Sequence, residues 1–132
     1  MDKRTISEEY TNIGNELIDN EEELEYIRDS EVSIIFLSSS HAKKGKKKIV
    51  FAQCEKVADK YKWGIPCDFT ITVFDPNVAK FTEDQIKVLI FHELLHVGIE
   101  SDDEGNEKYF INPHDLEDFK VIVDKFGTNW CG

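Results

Sequence analysis

Hydrophobic and polar residues follow two different periods along the chain, and these periods predict a mixture of helices and strands. Residues 5–28 carry a loose apolar stripe at helical spacing, with a restart near Asn20, and predict an N-terminal helical segment. Residues 31–39 (EVSIIFLSS) and 68–76 (DFTITVFDP) are short β-branched and aromatic runs that predict strands. The stretch IVFAQCEKVADKYKW, which begins at residue 49, is ambiguous at least over residues 49–60, because it fits helical spacing while IVFAQCEKV (49–57) could also form a strand.

The best-marked element is a helix that begins after Thr82. Thr82 and Gln85 have the spacing of a capping box, and Gly98 is a natural stop. Between them the chain is apolar on nearly every face, which is typical of a buried helix. A last helix is predicted for residues 113–126, because Asn112 can cap it and a proline follows. The order helix, two or three strands, helix, helix predicts an α+β fold.

The length and charge of the chain limit its organisation and its partners. A chain of 132 residues suits one domain, which we divide into an N-terminal helical segment (1–29) and a core (30–127). The formal net charge of -11 disfavours nucleic-acid binding, because phosphates would be repelled. The basic stretch KKGKKK (43–48) is interpreted as a solvated turn, with an anion- or nucleic-acid-binding patch as the alternative. The acidic stretch ESDDEGNEK (100–108) is predicted to be a surface loop.

Localisation is predicted from features that the sequence lacks. No apolar run reaches the roughly 18 residues of a membrane span, and the polar start is unlike a signal peptide. Cys54, Cys67 and Cys131 form no CxxC pair, which is typical of reduced thiols. We therefore expect a cytoplasmic protein with no membrane partner.

Residues 92–96 read HELLH and carry the strongest chemical signal. His92 and His96 are four residues apart, so on a helix their imidazoles point the same way and can bind one zinc ion. Glu93 projects about 100° away around the helix. It is therefore predicted to act as a general base on a zinc-activated water rather than as a ligand. Three polar groups within a buried apolar helix need partners, and a metal site supplies them.

A catalytic zinc site requires a third protein ligand and an open position. His114 is the only histidine after the motif, and Asp118 follows it at a spacing that would let the carboxylate orient a zinc-bound imidazole. Glu117 is the alternative ligand, at a gap typical of enzymes with a glutamate ligand on the next helix. We favour His114, although it lies opposite the apolar stripe of the predicted last helix.

The segments QIKVLIFHELLHVG and NPHDLEDFKVIVDKFG resemble the putative phage metallopeptidase family, a group related to SprT-like zinc proteins. The resemblance covers residues 30–127 and implies a minimal zincin-like domain. Such a domain has a small, mostly antiparallel sheet of two to four strands packed on the HExxH helix, with N-terminal and C-terminal helices beside it. The resemblance also implies that residues 49–57 are extended.

The site that the resemblance implies agrees with the residue-level reasoning: zinc on His92, His96 and His114, with Glu93 as general base. The predicted function is a zinc-dependent metallopeptidase that hydrolyses peptide bonds of a protein or peptide. A substrate strand could pair at a sheet edge near residues 68–74. One alternative is a repressor-cleaving metallopeptidase of a mobile genetic element. The other is a zinc-binding interaction module without turnover, which Glu93 argues against because a structural site needs no base.

Overall fold

Six strands and three α-helices make up the part of the chain that the computed structural model describes, residues 4–41, 50–58, 64 and 66–113. The strands are β1 (Arg4–Ile6), β2 (Ile34–Ser39), β3 (Ala52–Lys56), β4 (Phe69–Phe74), β5 (Val97–Ser101) and β6 (Glu107–Ile111). The helices are α1 (Glu8–Asn20), α2 (Glu25–Arg28) and α3 (Glu83–Leu94), with 3-10 turns at Glu22–Leu24 and Asp75–Val78. The predicted α+β class is confirmed.

The larger sheet has four strands in the order β1-β2-β4-β3. β2 runs parallel to β4, while the β1–β2 and β3–β4 pairs are antiparallel, so most pairs are antiparallel as predicted. Because β4 has a neighbour on both sides, β4 itself offers no free edge, and the addition of a substrate strand at an edge near residues 68–74 stays a prediction. Within the described residues, the edges of this sheet are β1 and β3.

Within the ambiguous stretch before β4, residues Ala52–Lys56 form a strand. In the antiparallel pair, the N–H of Phe74 donates to the carbonyl of Phe51 at 3.0 Å, and the N–H of Val57 donates to Asp68 at 2.9 Å. The helical spacing of apolar residues here is coincidental. Cys54 packs against the core from β3, and Val57 is buried directly after the end of that strand, so neither lies on a helix.

Helices α1 and α3 pack together, and α1 lies on the face of the sheet that carries the core. Phe36 of β2 and the alternate residues Phe69, Ile71 and Val73 of β4 are at most 2% exposed there. α1 approaches β2 closely at Gly14, where an added Cβ would lie 2.3 Å from a Phe36 ring atom. Only glycine allows this approach without displacing the ring.

The N-terminal segment is less continuous than the predicted helix over residues 5–28. Its first residues form β1, and α1 begins only after Ser7, whose hydroxyl accepts the N–H of Tyr10 at 3.1 Å. The helix ends before Glu21, close to the predicted restart near Asn20, and a 3-10 turn leads into α2. Residues 4–6 are a strand because their backbone pairs with β2.

The start of α3 is as predicted, but its end is not. The hydroxyl of Thr82 accepts the N–H of Gln85 at 3.2 Å, and the Gln85 side chain accepts the N–H of Thr82 at 2.8 Å. The helix ends at Leu94, so the prediction that it continues to Gly98 is wrong. Gly98 instead lies in β5, because the chain leaves the helix to pair β5 with β6.

The β5–β6 hairpin forms a second sheet, in a region that the sequence predicted as a loop. Residues 100–108 comprise the ends of both strands and the turn between them. Asp102 holds this turn, because its carboxylate accepts the N–H groups of Glu104 and Asn106 at 2.9 and 2.8 Å. The basic stretch 43–48 and the last predicted helix, 113–126, lie outside the described residues, apart from residue 113.

Candidate metal centre

The HELLH residues form a compact cluster of potential ligands. One ligand atom each from His92, Glu93 and His96 lies within 4.8 Å of the other two. The imidazole centroids are 5.3 Å apart, and the rings are nearly perpendicular, at 82°. Both histidines are partly buried, and Glu93 is 6% exposed. The predicted proximity of the two imidazoles is therefore present in the fold.

His96 reaches this position from outside the helix. It follows Leu95, the C-cap residue of the helix, and its N–H donates to the carbonyl of Glu93 at 3.1 Å. This bond joins residues three apart, as in a 3-10 turn, and continues a helix-like turn beyond the last residue of α3. A tightened last turn thus gives the proximity that the sequence assigned to a continuous helix.

A residue that the sequence predicted only as a helix cap orients the His96 ring. Nδ1 of His96 lies 2.7 Å from the carbonyl oxygen of Asn112. A carbonyl only accepts, so Nδ1 is the donor, and in the neutral imidazole Nε2 then carries the lone pair. Metal-binding histidines commonly use this arrangement to fix their tautomer. No spacing rule relates residues 96 and 112, which meet because the β5–β6 hairpin returns the chain to the helix end.

Glu93 faces the edge strand β3. The backbone N–H of Cys54 donates a hydrogen bond to its carboxylate. Burial raises the pKa of Glu93 to about 7, against the lowering effect of that hydrogen bond. A carboxyl group with this pKa can both take and release a proton near neutral pH, as an acid–base group requires.

The Cys54 side chain is poorly suited to act as a nucleophile. Burial, reinforced by the Glu93 and Glu55 carboxylates, raises the pKa of the Cys54 thiol to about 12. The thiol is therefore protonated at neutral pH, whereas reactive cysteines have a depressed pKa.

The donor set fits a zinc ion. Imidazole nitrogens are preferred zinc ligands, and Nε2 of His96 is left available by the Asn112 contact. The three remaining residues of the predicted site, His114, Glu117 and Asp118, lie outside the described residues. Within those residues the site is thus two imidazoles with one carboxylate beside them.

No helix of the described part is both long and apolar enough to cross a membrane.

Comparison with known proteins places the chain in a family. No curated protein and no solved structure matched the chain. One family model, described as "putative phage metallopeptidase", matches residues 3–131. That description implies a hydrolase with a metal cofactor and a protein or peptide substrate, which agrees with the His92–Glu93–His96 cluster. The chain belongs to the putative phage metallopeptidase family.

Proposed function

We propose that this protein is a zinc-dependent peptidase of the HExxH type with a zincin-like site, acting in the cytoplasm. The observation that carries the proposal is the cluster of His92, Glu93 and His96, in which a buried carboxylate lies beside two converging imidazoles. A structural zinc site needs ligands only. Burying an acid beside the ligands costs free energy of folding. A catalytic role explains why the acid is there, whereas a purely structural zinc site would not need it.

His92 and His96 would hold the zinc ion, and His114 would complete the protein ligands. His114 follows Asn112 by two positions in the sequence, and the N–H of Asn112 donates to the carbonyl of His96 at 2.7 Å, which supports this choice. Glu117 is the alternative ligand, and Asp118 would orient the His114 imidazole.

When bound, zinc would polarise the scissile carbonyl and acidify the attacking water. Glu93 would take the proton of that water and deliver it to the leaving amine. The N–H of Cys54 would hold the Glu93 carboxylate in place during both transfers. The buried setting of Glu93 would limit competing contacts with bulk water.

The edge of β3 is the proposed binding surface for an extended substrate. Phe51 and Val57 hydrogen-bond to the β4 side, so by antiparallel alternation the backbone groups of Ala52, Cys54 and Lys56 face away from β4. The N–H of Cys54 is used by Glu93, which places this edge next to the general base. A peptide that pairs with the outward backbone groups of Ala52 and Lys56 would pass beside the acid–base group.

The proposal is tested by loading the purified protein with zinc and measuring cleavage of a fluorescently labelled unfolded protein. Glu93→Gln should retain zinc and lose at least a hundredfold in rate, since general acid–base catalysis contributes about 10²–10⁴. Glu100→Gln, which changes an exposed acid in β5, is the matched control and should retain activity. Undiminished cleavage by Glu93→Gln would rule out its role as the base.

The third ligand is tested separately, by zinc content. His114→Ala should lower zinc occupancy strongly, whereas Glu117→Gln should leave it unchanged. The reverse result would assign the third position to Glu117. Zinc retention that depends on neither residue would contradict a three-ligand site built from these segments.

A further inference from the structure

The turn that follows α3 is held by an unusual set of hydrogen bonds. A helix leaves its last four carbonyls without intrahelical donors, and these groups usually meet water, a following glycine turn or a capping side chain. Here two residues, Tyr26 and Asn112, lie within hydrogen-bond distance of the carbonyls of Leu94, the last residue of α3, and of the three residues that follow it. This turn carries His96.

Tyr26 reaches the turn from α2, far back in the sequence. Its hydroxyl lies 2.7 Å from the carbonyl of Val97 and 3.2 Å from that of Leu94. A hydroxyl has one proton to donate, so the shorter contact is the stronger bond. The residue therefore bridges the last residue of α3 and the first residue of β5, on either side of the turn.

Asn112 holds the middle of the turn. Its side-chain amide donates to the carbonyl of Leu95 at 3.2 Å, and its backbone N–H donates to the carbonyl of His96 at 2.7 Å. Its own carbonyl is the partner of His96 Nδ1 at 2.7 Å. One residue thus fixes both the backbone and the ring of His96.

We propose that Tyr26 and Asn112 are positioning residues for the metal centre, and that through Tyr26 the N-terminal segment sets the direction of the His96 imidazole. The proposal rests on the proposed function. Its physical basis is that His96 lies after the last residue of α3, so the helix alone does not set the orientation of the His96 imidazole. Ligand geometry must then come from the contacts of the turn, and loss of such supporting contacts weakens metal sites about 10–100-fold.

The test compares two pairs of variants that remove equivalent groups. Tyr26→Phe removes the hydroxyl at the turn, and its control Tyr10→Phe removes a hydroxyl that donates to Asp75 at 2.7 Å. Asn112→Ala removes the amide at the turn, and its control Asn77→Ala removes an amide that donates to a backbone carbonyl at 2.7 Å. Each control loses a comparable bond outside the proposed site.

The measurement is the affinity for Zn²⁺ and Co²⁺ by competition with a chromophoric chelator, together with the visible absorption of the Co²⁺ form. Tyr26→Phe and Asn112→Ala should each weaken binding about tenfold and alter the Co²⁺ spectrum. The controls should lower the melting temperature and leave both metal readouts unchanged. If Tyr26 and Asn112 contributed only to stability, all four variants would lower the melting temperature and none would change the metal affinity or the Co²⁺ spectrum.

Two results would overturn the proposal: wild-type affinity and spectrum in both Tyr26→Phe and Asn112→Ala, or equal losses in their controls. If a site variant fails to fold, the other still decides, because Tyr26→Phe keeps the aromatic ring and Asn112→Ala keeps the backbone bonds. The proposed function fails on a different result, namely wild-type protein that binds zinc but cleaves nothing. In that case the positioning effect on metal affinity would still be measurable.

Discussion

Glu93 should destabilise the metal-free protein at neutral and alkaline pH, and Glu93→Gln should remove that cost. Burial raises the pKa of this carboxyl group from its ordinary value of 4.5 to about 7. Each tenfold change in proton affinity is worth 1.36 kcal/mol, so the ionised form is disfavoured in the folded state by roughly 3 kcal/mol. That is a large share of the roughly 5–15 kcal/mol of a typical small domain.

The sign of the pH dependence follows from which state holds the proton. Below pH 4.5 Glu93 is protonated in both the folded and the unfolded chain, and its contribution is zero. Between pH 4.5 and 7 the unfolded chain releases the proton while the folded chain keeps it, so the free energy of unfolding falls as pH rises. Above pH 7 the full penalty, roughly 3 kcal/mol, is present.

The assay is urea unfolding of wild type and Glu93→Gln with a chelator present, at pH 5 and pH 8. Glutamine is uncharged and its oxygen can still accept the N–H of Cys54. The stability of the variant relative to wild type should rise by about 2–3 kcal/mol between the two pH values. Glu100→Gln, at an exposed site, should show no comparable change. A difference between Glu93→Gln and wild type that is independent of pH would show that the pKa of Glu93 is not raised in the folded protein.

Three further outcomes follow from the fold. An added Cβ at Gly98 would lie 2.4 Å from an outer ring atom of Phe110, a side chain that is exposed and can move aside, so Gly98→Ala should cost at most about 1 kcal/mol in urea unfolding, and the cost should shrink in a Phe110→Ala background. Thr82→Ala breaks the capping box with Gln85 and should cost about 1 kcal/mol by the same measurement, whereas a loss below a few tenths would mean that the cap is not needed. Zinc at a hundred times its dissociation constant should raise the free energy of unfolding by about 2.7 kcal/mol, and a gain that persists in His92→Ala would place the ion elsewhere.

The beginning of α3 and the pairing of its two histidines could be predicted because both depend on residues close together in sequence. A capping box is a contact between residues three apart, and Thr82 and Gln85 form it as expected. The proximity of His92 and His96 requires only one helix-like turn of the chain. It is present although His96 lies outside the helix. Local chemistry of this kind is insensitive to the rest of the fold.

The end of α3 could not be predicted, because it is decided by pairing between distant segments. Gly98 is typical of a helix stop, but β5 pairs with β6 and takes Val97 out of the helix first. The acidic residues of 100–108 favoured a loop, and they are tolerated in the hairpin because most of them are exposed there. Likewise β3 is extended because it pairs with β4, which outweighs its helical spacing.

The same distinction explains why the HELLH sequence alone would not make this centre. An isolated helix of the length of α3 is marginal in water, and the motif's second histidine lies beyond its end. The acid is held by the N–H of Cys54, and the His96 ring by the carbonyl of Asn112. The turn between α3 and β5 is bridged by Tyr26, whose bond to Val97 spans 71 positions. The motif therefore supplies the functional groups, and three separate segments of the chain supply their geometry.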